Sequence, residues 1–246
     1  MTTDSVIKSY IGFGKVQARA FGTTGGFRHV GNVSKVNLSH KLDVKEQRDY
    51  TQGGGGMLIR HERIKSIDAA MTWLTFTPAN WALATAGVLV HVEAADILDE
   101  VVKGYKGATV RLAHPPATVA SVTNSAATTT YAPFIDYELS GAGLAFPADS
   151  TIVNAADLKV DYHHDAYSRI EGAMGSSSLL EIIVEGLNEV DSDKPVIVDL
   201  WKVSMPSASE IALIGDDLGK FDFPATLLKD TTKGAGVSAY YRARLS

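Results

Sequence analysis

His163, His164 and Asp165 are the side chains in this sequence that stand closest to a reactive cluster, two imidazoles beside a carboxylate, the parts of a general base or a metal site. Successive residues of a strand point to opposite faces, so His163 and His164 are not placed to share a ligand, and no histidine pair four apart encloses a glutamate as a helical zinc motif requires. They are expected at the surface or at a junction between modules. His61-Glu62 has no third partner nearby in sequence. Gly175-Ser176-Ser177-Ser178 lacks the G-x-S-x-G elbow and reads as a turn entering a strand. Asp191-Ser192-Asp193 offers a cation too few oxygens and no distal glutamate. Gly12-Phe13-Gly14 lacks the third glycine of a dinucleotide fingerprint, and no Lys-Ser or Lys-Thr closes the run Gly53 to Gly56, which excludes a phosphate-cradling P-loop. The chain holds no cysteine, and disulfides, thiolate metal sites and a cysteine nucleophile go with it. No catalytic residue, metal or cofactor is expected, and the chain is not expected to be an enzyme.

Composition sets the frame for those residues. With 246 residues, 45% of them hydrophobic, the chain can bury a sizeable core, as one large β domain or as a domain carrying an insert. No window approaches the ~18 consecutive apolar residues of a membrane span, and MTTDSVIKSY lacks the basic and apolar regions of a secretory signal, so a cytoplasmic origin is expected. A net charge of -5 argues against gripping nucleic acid, which needs clustered Lys and Arg. Asn32-Val33-Ser34 and Asn37-Leu38-Ser39 match the glycosylation sequon but fall inside a strand of such a chain.

The pattern of apolar residues is that of long strands. Val36, Leu38, His40, Leu42 and Val44 alternate with Lys35, Asn37, Ser39, Lys41 and Asp43, and Ile67, Ala69, Met71 and Trp73 alternate with Ser66, Asp68, Ala70 and Thr72, each strand wet on one face. Between Lys45 and Glu62 the alternation fails, and a charged segment runs into four glycines. A hairpin of this length projects about 30 Å, and its glycines lose much freedom on ordering, so the tip is expected to be mobile until it docks on another subunit. Thr77 as N-cap, Pro78 at N1 and Gly87 at C′ delimit a helix over 78–86 that leans on the sheet through Trp81 and Leu83. Further strands are expected over 178–186, 195–205 and 236–245, with a turn-rich connector over 186–194. Residues 1–30 read as an irregular arm. Residues 93–103 stay open between helix and strand: Ala94, Ile97, Leu98 and Val101 have helical spacing beside extended-looking flanks. From 104 to 165 the composition shifts to Ala, Thr, Ser and Pro with short runs such as ATVASV, IDYEL and LKVDY, a small inserted β module. The main domain is then 31–103 with 166–246.

The block GNVSKVNLSHKLDVKEQRDYTQGGGG, followed by ERIKSIDAAMTWLTFTPANWALATAG, resembles the major tail tube proteins of long-tailed bacteriophages. VEGLNEVDSDKPVIVDLWKV, EIALIGDDLGKFDF and the tyrosine-rich last strand are similar to the rest of that family. The resemblance implies a mainly β fold, a tail-tube-type sandwich or barrel with one short flanking helix, assembling as hexameric rings that stack into a hollow tube with a generally negative interior. It implies a virion location in the tail after assembly in the host cytoplasm, and as partners further copies of the chain, the tape measure protein, and the terminator and baseplate proteins. Viral DNA passes through without specific binding, and no membrane is involved. Carried onto this sequence, 45–57 is the ring-stacking loop, with Lys45, Glu46, Gln47, Arg48, Asp49, Tyr50, Gly53, Gly54, Gly55 and Gly56. The insert is placed outside the tube. The polar phase of the strands supplies lumen candidates Asn37, Ser39, Asp68, Thr72, Glu181 and Glu185. A secretion-type tube or another tail component is the alternative on the same architecture. A glycan-binding or hydrolytic β-sandwich using His163, His164 and Asp165 is a further one.

Overall fold

The computed structural model describes residues 10–51, 53–175 and 177–245. Those residues form two compact units. One runs up to Leu89 and resumes at Ile170; the other is Val90–Arg169, wider at both ends than the expected 104–165. The fold is mainly β. The first unit begins with β1 (Gly12–Ala20), β2 (Arg28–His29), β3 (Val33–Arg48), β4 (Met57–Trp73) and α1 (Pro78–Ala84). After β5 (Val88–Val92) come β6 (Ala95–Gly104), β7 (Ala108–Arg111), β8 (Thr118–Asn124), β9 (Glu138–Ser140), β10 (Gly143–Phe146) and β11 (Ala156–His164). β12 (Tyr167–Glu171) pairs with β5, and the chain continues with β13 (Ser178–Asn188), β14 (Lys194–Met205), β15 (Phe221–Leu227) and β16 (Tyr241–Leu245).

In the first unit the strands run β2-β1-β13-β14-β15-β4-β3, with β16 also on β14. The sheet branches at β14: Val196 to Leu200 pair with β16, whereas Val203 and Ser204 pair with β15. One face of β1, β4, β13, β14 and β15, with the inner part of β3, supplies a single core. Ile67, Ala69, Met71 and Trp73 of β4 meet Phe221, Phe223 and Ala225 of β15, and Ile182 and Leu200 join them. The Trp73 and Phe223 rings meet edge to face at 4.9 Å. The second unit has its own core, including Val122, Leu144, Phe146, Leu158 and Val160, between the sheets β7-β10-β9 and β6-β11-β8.

Several expectations are corrected by these elements. Residues 10–30 are not an irregular arm, and residues 1–9 lie outside the described part. β1 pairs along its whole length with β13 and buries Val16 and Ala18. Its glycines mark close backbone approach: Gly14 faces Gly186, and a Cβ at Gly14 would stand 2.1 Å from the Glu185 carbonyl oxygen. Residues 95–104 are a strand with helix-like spacing because Asp99, at φ 54°, forms a bulge that turns one two-residue step into three. The strand expected over 236–245 is confined to Tyr241–Leu245. β15 is an additional strand; its Pro224 breaks the strand signal, but β15 has a neighbour on the β14 side only at Thr226 and Leu227, so a missing N–H is tolerated there. The connector at 186–194 is partly strand, followed by one 3-10 turn over Glu189–Asp191 and left-handed Ser192 and Asp193.

Candidate assembly surface

β3 and β4 are the longest strands of the described residues, and they pair antiparallel from Val33↔Trp73 out to Arg48↔Met57. Only their inner halves face the core. Every residue from Met57 to Lys65 is exposed, and so is nearly all of β3 beyond Leu38. The outer halves form a two-stranded ribbon wet on both faces. Residues 45–57 are therefore not one loop: Lys45, Glu46, Gln47 and Arg48 belong to β3 and lie opposite His61, Arg60, Ile59 and Met57. Alternation is missing in this segment because neither face is buried, so no period is imposed on the side chains.

Cross-strand pairs hold the ribbon instead. On one face Leu42 lies opposite Ile64, Val44 opposite Glu62 and Glu46 opposite Arg60; on the other, Asp43 faces Arg63. Arg63 Nη2 stands 2.7 Å from Asp43 Oδ2, and Arg60 bonds Glu62 and lies 3.3 Å from Glu46. Such exposed pairs contribute only about 0.2–1 kcal/mol each; the backbone ladder does the rest. The connecting loop is 49–56. Asp49 N donates to Gly56 O at 2.8 Å, and Thr51 donates from its hydroxyl and its amide to Asp49 Oδ1 at 2.5 and 2.8 Å. The hydroxyl bond above all, then the amide bond, holds the Asp49 carboxyl below its ordinary value. Gly54 takes φ 105°, which a side chain would resist, and Tyr50 is 85% exposed. Leu42, Val44, Met57, Leu58, Ile59 and Ile64 leave apolar surface in solvent along the ribbon; Leu42 and Val44, expected on the buried face of the strand, are exposed because the ribbon has passed the core's edge, and the other four were not anticipated.

The lumen candidates fall on the sheet face opposite the core. Asn37, Ser39, Asp68 and Thr72 come together there, with Ser39 directly across from Asp68. Their neighbours tie them down: Lys41 Nζ stands 2.5 Å from Asp68, Thr226 donates to Asp68 at 3.3 Å, and Thr72 donates to Asp222 at 2.5 Å. The Lys41 bond, chiefly, keeps the Asp68 carboxyl low, and the Thr72 bond does so for Asp222. Glu181 and Glu185 lie on the same side of β13. Glu181 accepts from Arg19 at 2.6 and 2.8 Å, and Glu185 lies across from Lys15. The face is mixed in sign.

Trp81 of α1 meets Phe221 edge to face at 5.6 Å, and Leu83 packs against the same core. The helix is shorter than 78–86. Thr77 accepts from Asn80 N, and a Schellman motif ends the helix, with Ala86 N donating to Leu83 O and Gly87 N to Ala82 O. The left-handed residue is Ala86, at φ 47°, rather than Gly87. A glycine is needed at 87 for another reason: a Cβ there would lie 2.8 Å from the Glu171 carbonyl oxygen. Asn80, absent from the sequence reading, is fully buried and donates to Val30 O at 2.7 Å and Thr75 O at 2.9 Å.

His163, His164 and Asp165 do not form one cluster: His163 Nε2 lies 3.7 Å from Asp165 Oδ1, but His164 is turned away from both side chains. His163 Nδ1 lies 2.7 Å from Asp96 Oδ1, whereas His164 is 2% exposed, with Nδ1 3.0 Å from the Asp165 carbonyl oxygen. His164 is thus a buried histidine, not a surface one, because the His114 ring stacks on it at 4.2 Å and Tyr167 meets it edge on. His61 sits on the ribbon across from Lys45, and Asp191 pairs with Lys194 at 3.2 Å. Ser176 of the expected turn lies outside the described residues. Among the described residues no helix is long and apolar enough to cross a membrane.

A family model matches residues 9–244, nearly the whole chain, and carries the description "Protein of unknown function UCP028589". The comparison with curated proteins returns no match.

Proposed function

The chain belongs to that family, whose description names no activity, and from its own geometry we propose that it is a structural protein of a bacteriophage tail, building the tube from stacked rings of itself. The observation that carries this reading is the β3–β4 ribbon. It continues a core hairpin well past the core and exposes apolar residues on an arm none of whose described residues is fully buried. Monomeric proteins rarely keep such surface without a partner. An antiparallel sheet with one apolar and one polar face supports the second half of the reading: six such sheets side by side, in a tube-type sandwich or barrel, would line a channel with Asn37, Ser39, Asp68 and Thr72 and leave DNA little to grip. The sequence resemblance to major tail tube proteins points the same way. In this reading the chain works without cofactor or catalysis, and its partners are its own copies, the tape measure protein and the proteins that cap the tube's ends.

Electron microscopy of the purified protein across concentration and ionic strength tests the proposal. Stacked rings or hollow rods are expected; a protein that sediments as a monomer under every condition overturns it.

A further inference from the structure

Between β14 and β15 the chain runs through fifteen residues, 206–220, without a helix or strand. Loops of that length inside a compact unit are uncommon and tend to be functional. This one is anchored at its base: Ala208 N donates to Ala84 O at 2.8 Å, Ser209 N to Asp222 O at 3.0 Å, and Gly219 lies against the Phe76 ring. Its outer part then offers apolar side chains to solvent, with Ile214 99% exposed, Leu218 92% and Leu213 76%. From Pro206 to Gly219 it carries Glu210, Asp216 and Asp217 and no cation, and none of the three is paired with a cation among the described residues.

The ribbon is its complement in charge. Residues 41–65 hold six cations against four anions. The anions Asp43, Glu46 and Glu62 are bound to arginines of the ribbon itself and Asp49 to Thr51, whereas Lys45 and Arg48, next to the tip, pair with no carboxylate among the described residues. Position matters as much as charge. β4 runs from Met57 at the ribbon's end to Trp73, and Trp73 pairs with Phe221, the residue that follows the loop. Tip and loop therefore lie at opposite ends of one seventeen-residue strand, about 50 Å apart at ~3.3 Å per residue. They cannot meet within a chain. A basic apolar tip at one pole and an acidic apolar loop at the other make a head-to-tail contact, the kind that propagates along an axis.

We infer that loop 206–220 of one copy is the receptor for the ribbon tip of the next, with Asp216 and Asp217 meeting Lys45 and Arg48 around a contact between Leu213, Ile214 and the tip. The inference rests on the stacked-ring reading above and specifies its contact. Two measurements on the full-length protein test it. Asp216→Lys with Asp217→Lys should lower the assembled fraction at least tenfold by sedimentation, and adding Lys45→Asp with Arg48→Asp in the same chain should restore it. Replacing Ile214 with a photo-crosslinking phenylalanine analogue should join it, in assembled material, to peptides from residues 41–65 of another copy. Tubes whose crosslinks map elsewhere, or a charge reversal without effect, overturn the receptor assignment and leave the tube reading intact. A wild-type chain that never assembles removes both.

Discussion

Asn80 shows how much one polar side chain can hold. Its amide donates to two backbone carbonyls, the buried Val30 O and the half-buried Thr75 O, and truncation takes that donor from both. Asn80→Ala should cost about 2–3 kcal/mol in chemical denaturation. Ala86 offers the opposite case: it sits at φ 47°, where a methyl group is a liability, and Ala86→Gly should raise stability by about 0.5–1 kcal/mol, read as a higher melting temperature. Asp136 in the second unit sets an acid limit. Thr151 Oγ1 at 2.7 Å, chiefly, and Ala132 N at 2.9 Å hold its carboxyl below the ordinary value. With the folded value below the unfolded one near ~3.9, its contribution is complete above about pH 5 and is lost as pH falls through the folded value. Asp136→Asn should lower stability at neutral pH and flatten its decline below about pH 4.

The β3–β4 ribbon divides into an inner half that builds core and an outer half that does not, and the two should separate on mutation. Replacing residues 42–64 by a short glycine-containing turn should leave the melting temperature of the first unit nearly unchanged while abolishing assembly. A large loss of stability would mean that the outer half supports the fold. The same division decides what the sequence discloses. Val36, Leu38, Ile67 and Met71 carry their phase openly because burial on one side imposes a period of two. Lys45 to Arg48 and Met57 to Lys65 carry none, since both faces are wet. Gly14 and Pro224 conceal strands for local reasons, a close backbone approach and a half-free edge, and Asp99 disguises β6 through a bulge. Of the candidate surface, the tip and the polar face are legible as residue types. The apolar flanks of the ribbon are not, because only the structure shows that Leu42 and Ile64 lie beyond the core's reach.

At the scale of the whole chain, two cores share no residue, one built from both ends of the sequence and one from Val90–Arg169. Calorimetry should resolve two unfolding transitions, with Asn80→Ala shifting one and Asp136→Asn the other; a single transition moved equally by both would refute their independence. β4 has a mechanical consequence as well. One uninterrupted strand starts at the ribbon tip and ends beside loop 206–220, flanked along its inner half by β3 and β15. Tension applied between the two ends pulls that strand along its own axis, and its hydrogen-bond ladders shear together rather than opening one rung at a time. In a stack joined tip to loop, the load would pass through each subunit along β4 and across its ladder with β15, loaded in shear, and the joints between copies would give way before the subunits did.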